Sequence, residues 1–72
     1  MSKSILTSRE KEIFLLLVKN KSTKEIADKL DISEKTVRNH ISNAMQKLEV
    51  KARTAAVIEL LKLGEIKIDN DI

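Results

Sequence analysis

The segment EKTVRNHISNAMQKL, residues 34–48, carries the side chains best suited to chemistry in this chain. On a helix its polar side would display Lys35, Arg38, Asn39, Ser42, Asn43 and Gln46. Arginine can bind guanine and asparagine can bind adenine through paired hydrogen bonds in the DNA major groove, which is about as wide as an α-helix. This polar side therefore has the chemistry to contact base edges.

The same segment has an apolar side that would hold the helix in a fold. Its spacing of i, i+4, i+7, i+8 and i+11 is typical of a core-facing helix. The residues are Val37, Ile41, Ala44, Met45 and Leu48. Every amphipathic helix has a polar side, so the segment alone favours an ordinary solvated surface. The residues that precede it favour contact with DNA.

Those preceding residues predict a second helix and a tight turn. Ser22 and Glu25 can form a capping box, which starts a helix at about residue 23. The buried side of this helix would consist of Ile26, Ala27 and Leu30. Residues 31–33 then supply turn geometry and a serine cap for the next helix. The small Ala27, the three-residue turn and a valine ten positions later predict a helix-turn-helix.

Length and composition limit the classes of function. Seventy-two residues predict one domain, residues 1–72, with a thin core. There is no cysteine, and the single histidine, His40, cannot form a metal site or a catalytic set alone. We therefore expect no enzymatic activity, cofactor, metal or small-molecule ligand. The longest apolar run, residues 13–18, is too short for a membrane span and no signal peptide is evident, so we expect an intracellular protein.

The net charge of +3 is unevenly distributed. Residues 35–53 contain the bases Lys35, Arg38, Lys47, Lys51 and Arg53 against one acid, Glu49, whereas residues 59–72 contain two bases and four acids. Positive charge on the candidate DNA-contacting helix and the following loop suits a phosphate backbone. Lysine-rich surfaces also serve solubility alone, so the position of the charge carries more weight than its sum.

The chain as a whole predicts an all-α, four-helix bundle-like fold without strands. Thr7 and Glu10 can form a further capping box, and Phe14, the only aromatic residue, is expected in the core. The expected helices span about residues 8–20, 23–30, 34–48 and 53–63. Gly64 is a natural left-handed cap for the last helix, and residues 66–72 are expected to fray.

The last helix has more apolar surface than one small core can cover. Apolar residues surround nearly its whole axis, which predicts that a second copy of the chain covers part of it. We assign Ala56, Val57 and Leu60 to the core of one copy. The expected dimer interface consists of Thr54, Ile58, Leu61 and Lys62. The alternative is a helix sunk deeply against the first helix, with Ile58 and Leu61 merely exposed.

Four pieces of the sequence, LTSREKEI, KEIA, ISEKTVRNHISNAMQKL and VKARTAAV, resemble the LuxR-type (GerE-type) DNA-binding domain of bacterial regulators. The likeness covers residues 6–64, and EKTVRNHISNAMQKL is particularly similar to spore-formation regulators of this family. The resemblance implies a four-helix fold, dimerisation through the last helix and control of transcription. Region 4 of sigma factors shares the EIA and KL patterns but matches EKTVRNHI less well.

The resemblance also implies roles for individual residues. Its base-contacting positions fall on Arg38, Asn39 and Ser42, with Asn43 and Gln46 at the edges. Its DNA-backbone positions fall on Lys24, Ser33, Lys35, Thr36, His40 and Lys47. On the helical wheel, Thr36, His40 and Lys47 flank the apolar side and would face a groove wall. His40 has an equally weighted alternative as a buried spacer between helices.

Two residues depart from the family pattern, both near the start of the last helix. Glu49 stands where the family commonly has glycine, so it must adopt a left-handed conformation at a cost of about 1 kcal/mol, or the helix must end differently. Ala52 replaces the usual polar cap, which weakens the helix start by about 1 kcal/mol. Neither residue lies on the candidate DNA-contacting face.

Three classes of function fit these features. The first is a self-contained regulator that binds a two-fold or pseudo-palindromic DNA site as a homodimer in the bacterial cytoplasm, associated with the nucleoid, with RNA polymerase as a further partner. The second is the output domain of a larger response regulator, and the third is a protein-interaction module on the same fold. Met1 and the short leader favour the first over the second, and Arg38 and Asn39 beside a basic rim disfavour the third.

Overall fold

A computed structural model describes residues 5–67 and shows an all-helical fold. Within that range there are four helices and no strand: α1 (Ser8–Val18), α2 (Thr23–Leu30), α3 (Glu34–Leu48) and α4 (Arg53–Lys62). The expected fold class is therefore confirmed. None of the helices in this part of the chain is long and apolar enough to cross a membrane.

Side-chain caps explain where the first three helices begin. At α1 the Glu10 amide donates to Thr7 Oγ1 at 3.1 Å and the Thr7 amide donates to Glu10 Oε1 at 2.9 Å. Ser22 and Glu25 form the same reciprocal pair at α2, with distances of 3.1 and 2.9 Å. At α3 the Ser33 hydroxyl accepts from a backbone amide one turn later. Each cap satisfies amides that lack a partner within the helix.

All four helices end in one backbone arrangement, in which a left-handed residue is followed by an amide that donates to the carbonyl five residues earlier. The left-handed residues are Asn20, Asp31, Glu49 and Gly64, with φ of 66, 58, 57 and 73°. The returning amides belong to Lys21, Ile32, Val50 and Glu65. Asn20 explains why α1 ends at Val18, two residues before the expected end. Three of these helix ends carry the conformational cost that glycine would avoid.

The start of α4 lacks a stabilising side-chain cap, whereas the chain just after its end is fixed by burial and an ion pair. Ala52 at the start makes no side-chain cap, as its type predicts. After the helix, which ends one residue before the expected position 63, Ile66 is buried in the core and Lys11 pairs with Glu65 at 3.3 Å. The prediction that the chain frays from residue 66 is wrong for Ile66, because the turn at Gly64 returns it to the core. Residues 68–72, also expected to fray, lie outside the described range.

α3 lies at the centre of the packing and contacts each of the other three helices. The largest fully buried side chains are Ile13, Phe14, Ile26, Val37 and Leu60. Leu30, expected on the buried side of its helix, is only partly buried against the core, as are Leu17 and Val18 at the end of α1. Since α3 is held from three directions through its apolar side, its polar side is presented as a rigid outer surface.

Candidate nucleic-acid interface

The polar side of α3 is open to solvent along its length. Arg38, Asn39, Ser42, Asn43 and Gln46 are all exposed. Val37, Ile41 and Ala44 are buried on the opposite side of the helix. The exposed residues follow the i, i+1, i+4, i+5, i+8 spacing of one helix face. The structure therefore brings the five candidate base-contacting residues together on one accessible surface.

The candidate backbone-contacting residues around this face differ in accessibility. Lys24, Ser33, Lys35 and Lys47 are exposed, whereas Thr36 and His40 are half-buried. Lys24 and Lys35 form no ion pair with any residue between 5 and 67. The Ser33 and Thr36 hydroxyls hydrogen-bond to each other at the start of α3, where their oxygens lie 2.9 Å apart. His40 fits neither a fully buried spacer nor a fully exposed contact.

Lys47 is linked to α1 by an ion pair that no local sequence pattern predicts. Its Nζ donates to Glu10 Oε1 at 2.8 Å, and the Glu10 side chain is only 4% exposed. The same Glu10 oxygen accepts from the Thr7 amide. Burial has the strongest influence on Glu10 and raises its pKa, but the hydrogen bonds from Lys47 and Thr7 outweigh burial and hold the pKa below 4.5. Lys47 thus links the start of α1 to the last turn of α3.

Acid should weaken the fold through this pair. Because the folded-state pKa of Glu10 is lowered, its contribution to the free energy of unfolding is complete above pH 4.5 and is lost as the pH falls through the folded-state pKa. Urea unfolding at neutral pH and below pH 4.5 should show a smaller acid loss for Glu10→Gln than for the parent protein.

The acid loss of the parent protein must be compared with that of Glu10→Gln because a second carboxylate, Glu25, also contributes to it. A backbone hydrogen bond with Ser22 also lowers the pKa of Glu25, so this carboxylate contributes in the same pH range. Glu25 is present in both proteins, and the difference between them isolates Glu10. An equal acid loss in the two proteins would assign the sensitivity to other groups.

Arg38 is also engaged by a carboxylate in the free protein. Its Nη2 donates to Glu34 Oε2 at 3.2 Å, and Thr23 Oγ1 donates to the same oxygen at 3.2 Å. Thr23 begins α2 and Glu34 begins α3. Through Glu34, the starts of both helices of the helix-turn-helix are therefore linked to Arg38, the one basic residue among the five candidate base-contacting residues. The i, i+4 spacing of Glu34 and Arg38 is a sequence signal from which this pair could have been predicted.

The outer side of α4 carries the candidate dimer interface. Thr54, Ile58 and Lys62 are exposed, and Leu61 is half-buried. An open cleft of about 390 Å³ lies beside them, between the end of α1 and the start of α4. Its lining residues are Leu17, Val18, Arg53, Thr54 and Val57. The structure places the four predicted residues on one helix face and shows an apolar recess next to it.

The buried set only partly follows the sequence expectation for α4. Ala56 and Leu60 are fully buried, as assigned, but Val57 is partly buried and contributes to the cleft. No group of three or more His, Cys, Asp or Glu side chains suited to holding a metal ion occurs in residues 5–67.

Comparison with known proteins defines the class of protein. Residues 4–60 match the family described as bacterial regulatory proteins, luxR family. The helix-turn-helix and the exposed polar side of α3 agree with that match. The chain is a helix-turn-helix DNA-binding regulator and belongs to the LuxR family.

Individual relatives place the chain more closely within this family. It is 67% identical over 67 residues to the spore germination protein GerE of Bacillus subtilis (strain 168), an alignment that covers 93% of this chain and 90% of GerE. The solved structure of transcription factor GerE matches with a TM-score of 0.90 and 61% identity, over 93% of this chain and 100% of that one. The resemblance inferred from the motifs is confirmed.

Longer regulators contain a similar domain. The transcriptional regulatory protein DegU of Brevibacillus brevis is 48% identical over 64 residues, which are 89% of this chain and 27% of DegU. The response regulator ChrA of a haem-sensing two-component system matches with a TM-score of 0.81 and 36% identity, over 92% of this chain and 33% of ChrA. The fold thus recurs both as most of a small regulator and as a part of larger ones.

Proposed function

We propose that α3 is the recognition helix of a sequence-specific regulator and lies in the major groove of double-stranded DNA. The supporting observation is that its five candidate base-contacting residues are exposed on one side while its apolar side is buried. The helix can therefore enter a groove without any loss of core packing. Arg38 and Asn39 lie in its N-terminal half, the part that approaches base edges in helix-turn-helix proteins. Ser42, Asn43 and Gln46 continue the same face.

Phosphate contacts surround this face in the proposed complex. Lys24 and Lys35 are exposed cations at the starts of α2 and α3, and Lys47 lies in the last turn of α3. Ser33, Thr36 and His40 supply further donors. Neutralising phosphates with lysine releases counterions, so binding should weaken as salt rises. These contacts fix the position of the protein on DNA, whereas the α3 face selects the sequence.

The outer face of α4 is proposed to join two copies into a dimer. Thr54, Ile58, Leu61 and Lys62 follow the i, i+4, i+7, i+8 spacing of a single helix stripe, and Ile58 is 48% exposed. In an antiparallel two-fold pair centred on Ile58, Thr54 of one copy would face Lys62 of its partner. Such a pair would also extend apolar contact toward the open cleft. Two recognition helices related by a two-fold axis match a palindromic site.

Similarity to GerE supports a role in spore formation. The Bacillus subtilis relative is a spore germination protein by name and is 67% identical to this chain. We propose that the chain controls sporulation genes in the cytoplasm, at the nucleoid, and has no enzymatic activity. A regulator bound near a promoter lies beside RNA polymerase, which is therefore the proposed further partner.

Arg38→Ala tests the base-contacting role. If Arg38 binds a base, this substitution should cost about 1–3 kcal/mol at the preferred site and have much less effect on random DNA. The preferred site is obtained by selection from a randomised duplex pool, and affinity is then measured by titration at fixed salt.

Arg9→Ala is the matched control. Arg9 also pairs with a glutamate at 3.2 Å, but it lies on α1. This variant loses the same charge and should keep the ratio of preferred-site to random-site affinity. Equal losses on both DNAs for Arg38→Ala would show that Arg38 acts on the phosphate backbone and does not select a base.

A further inference from the structure

We propose that Glu34 is a specificity-determining positioning residue that holds Arg38 for base contact and limits its use on phosphates. The proposal rests on the proposed function of α3. It starts from the single carboxylate oxygen, Glu34 Oε2, that accepts hydrogen bonds from Arg38 Nη2 and Thr23 Oγ1.

Stability alone does not explain this arrangement. The Arg38 side chain is 58% exposed and that of Glu34 is 39% exposed. Ion pairs between exposed side chains contribute little to folding. The position of the pair is more informative, because it lies at the first turn of α3, where helix-turn-helix proteins approach the bases.

The geometry prepares Arg38 for a planar contact. A guanidinium has five N–H donors, and the observed hydrogen bond uses one nitrogen, Nη2. The remaining donors can still form a paired contact with guanine. An arginine side chain otherwise loses considerable rotamer freedom when it is ordered. Thr23 helps to fix the carboxylate, so part of that ordering is complete before DNA is bound.

The same carboxylate penalises non-specific binding. On a random sequence Arg38 gains most from a phosphate, and Glu34 competes with that phosphate for the same guanidinium. The negative charge of Glu34 also repels the nearby backbone. On the preferred site the guanidinium can contact a base while it keeps its carboxylate partner. Glu34 therefore separates the two modes of binding even though it need not contact DNA itself.

Glu34→Gln tests this role, since glutamine keeps an oxygen that can accept from Thr23 and removes the charge. Random-DNA affinity should rise, and the slope of log affinity against log salt on random DNA should steepen by about 0.9, as expected for one added phosphate contact. The ratio of preferred-site to random-site affinity should fall by up to roughly fivefold, the range of an exposed ion pair. The probes are a duplex selected by the parent protein and a scrambled duplex of equal composition.

Glu12→Gln is the matched control. Glu12 pairs with Arg9 at 3.2 Å on α1, so the change in net charge is the same. It should raise affinity for both duplexes alike and leave their ratio unchanged. Circular dichroism confirms that both variants are folded.

A double substitution decides whether Glu34 acts through Arg38. In an Arg38→Ala background, Glu34→Gln should no longer change the affinity ratio. A persisting change, or a new preferred base selected by Glu34→Gln alone, would mean that Glu34 contacts a base directly and would overturn the proposal. An unchanged ratio in the single variant would also overturn it. A parent protein that fails to distinguish the two duplexes would instead contradict the proposed function itself.

Discussion

An Ile58→Glu variant is expected to be a folded monomer that binds a half-site weakly. Ile58 is half exposed on the outer side of α4. A carboxylate at this position would be solvated in a single copy, but in a dimer it would face the same carboxylate of the partner and repel it. Linking two binding modules typically raises overall affinity by about 10²–10⁴-fold, and the variant should lose a gain of that size. Sedimentation would measure its mass and a titration with a two-fold site its affinity. Leu61→Glu should also be monomeric, with an additional loss of stability because Leu61 is half-buried against the core.

Leu60→Glu is the contrasting substitution. Leu60 lies two residues from Ile58 but is fully buried, so a charge there has no solvent and no partner. Circular dichroism should show an unfolded chain. If the parent protein sediments as a monomer, or if Ile58→Glu and Leu61→Glu stay dimeric with full affinity, the dimer interface does not lie on this face of α4.

Lys47→Met is expected to lower both stability and DNA affinity. The buried Glu10 carboxylate loses its charged partner and keeps its hydrogen bonding with Thr7, so the substitution should cost about 1–3 kcal/mol of unfolding free energy. If Lys47 also contacts phosphate, preferred and random DNA should lose affinity alike, and the salt slope should fall by about one unit. Urea unfolding and titrations over a range of salt would measure the two effects.

The double variant Glu10→Gln with Lys47→Met separates those effects. It removes both members of the pair, so stability should largely recover because no buried charge is left unpaired. DNA affinity should stay low, since the cation facing the backbone is still missing. Recovery of both properties would show that Lys47 only holds α1 against α3.

The helix-turn-helix could be predicted because its signals are local. Ser22, Glu25 and Ser33 are capping residues a few positions from the amides they satisfy, and Asp31 tolerates the left-handed turn. The bounds of α2 and α3 lie at the residues expected from the sequence. The exposed side of α3 follows from the same helical periodicity that buries its apolar side.

The interactions that position the site could be predicted only in part. Glu10 and Lys47 are 37 residues apart, and their pairing depends on how α1 packs across the end of α3. A local motif identified Glu10 as a cap but contained no sign of its second partner. Thr23 and Glu34 are 11 residues apart, and their contact depends on the angle between two helices. Side-chain pairs of this kind result from the fold, and no local sequence pattern predicts them.

The ends of the helices show a second limit of sequence reasoning. Lys19 and Asn20 are compatible with a helix, so periodicity alone extended α1 too far, whereas the left-handed Asn20 ends it. Ile66 follows the only glycine and precedes several polar residues, which suggested a loose tail. Its burial depends on the chain reversal at Gly64, a tertiary event.

The packing of α4 against α3 has a consequence for the DNA sites that a dimer could accept. α4 contacts α3 more extensively than it contacts the other helices, and Ala44 of α3 and Ala56 and Leu60 of α4 are fully buried. If the two-fold axis passes through the α4 interface, the distance from that axis to each recognition helix is fixed by the packing of α4 against α3 within one protomer. The spacing between half-sites selected from a library of operators would then report an interhelical angle within a single chain.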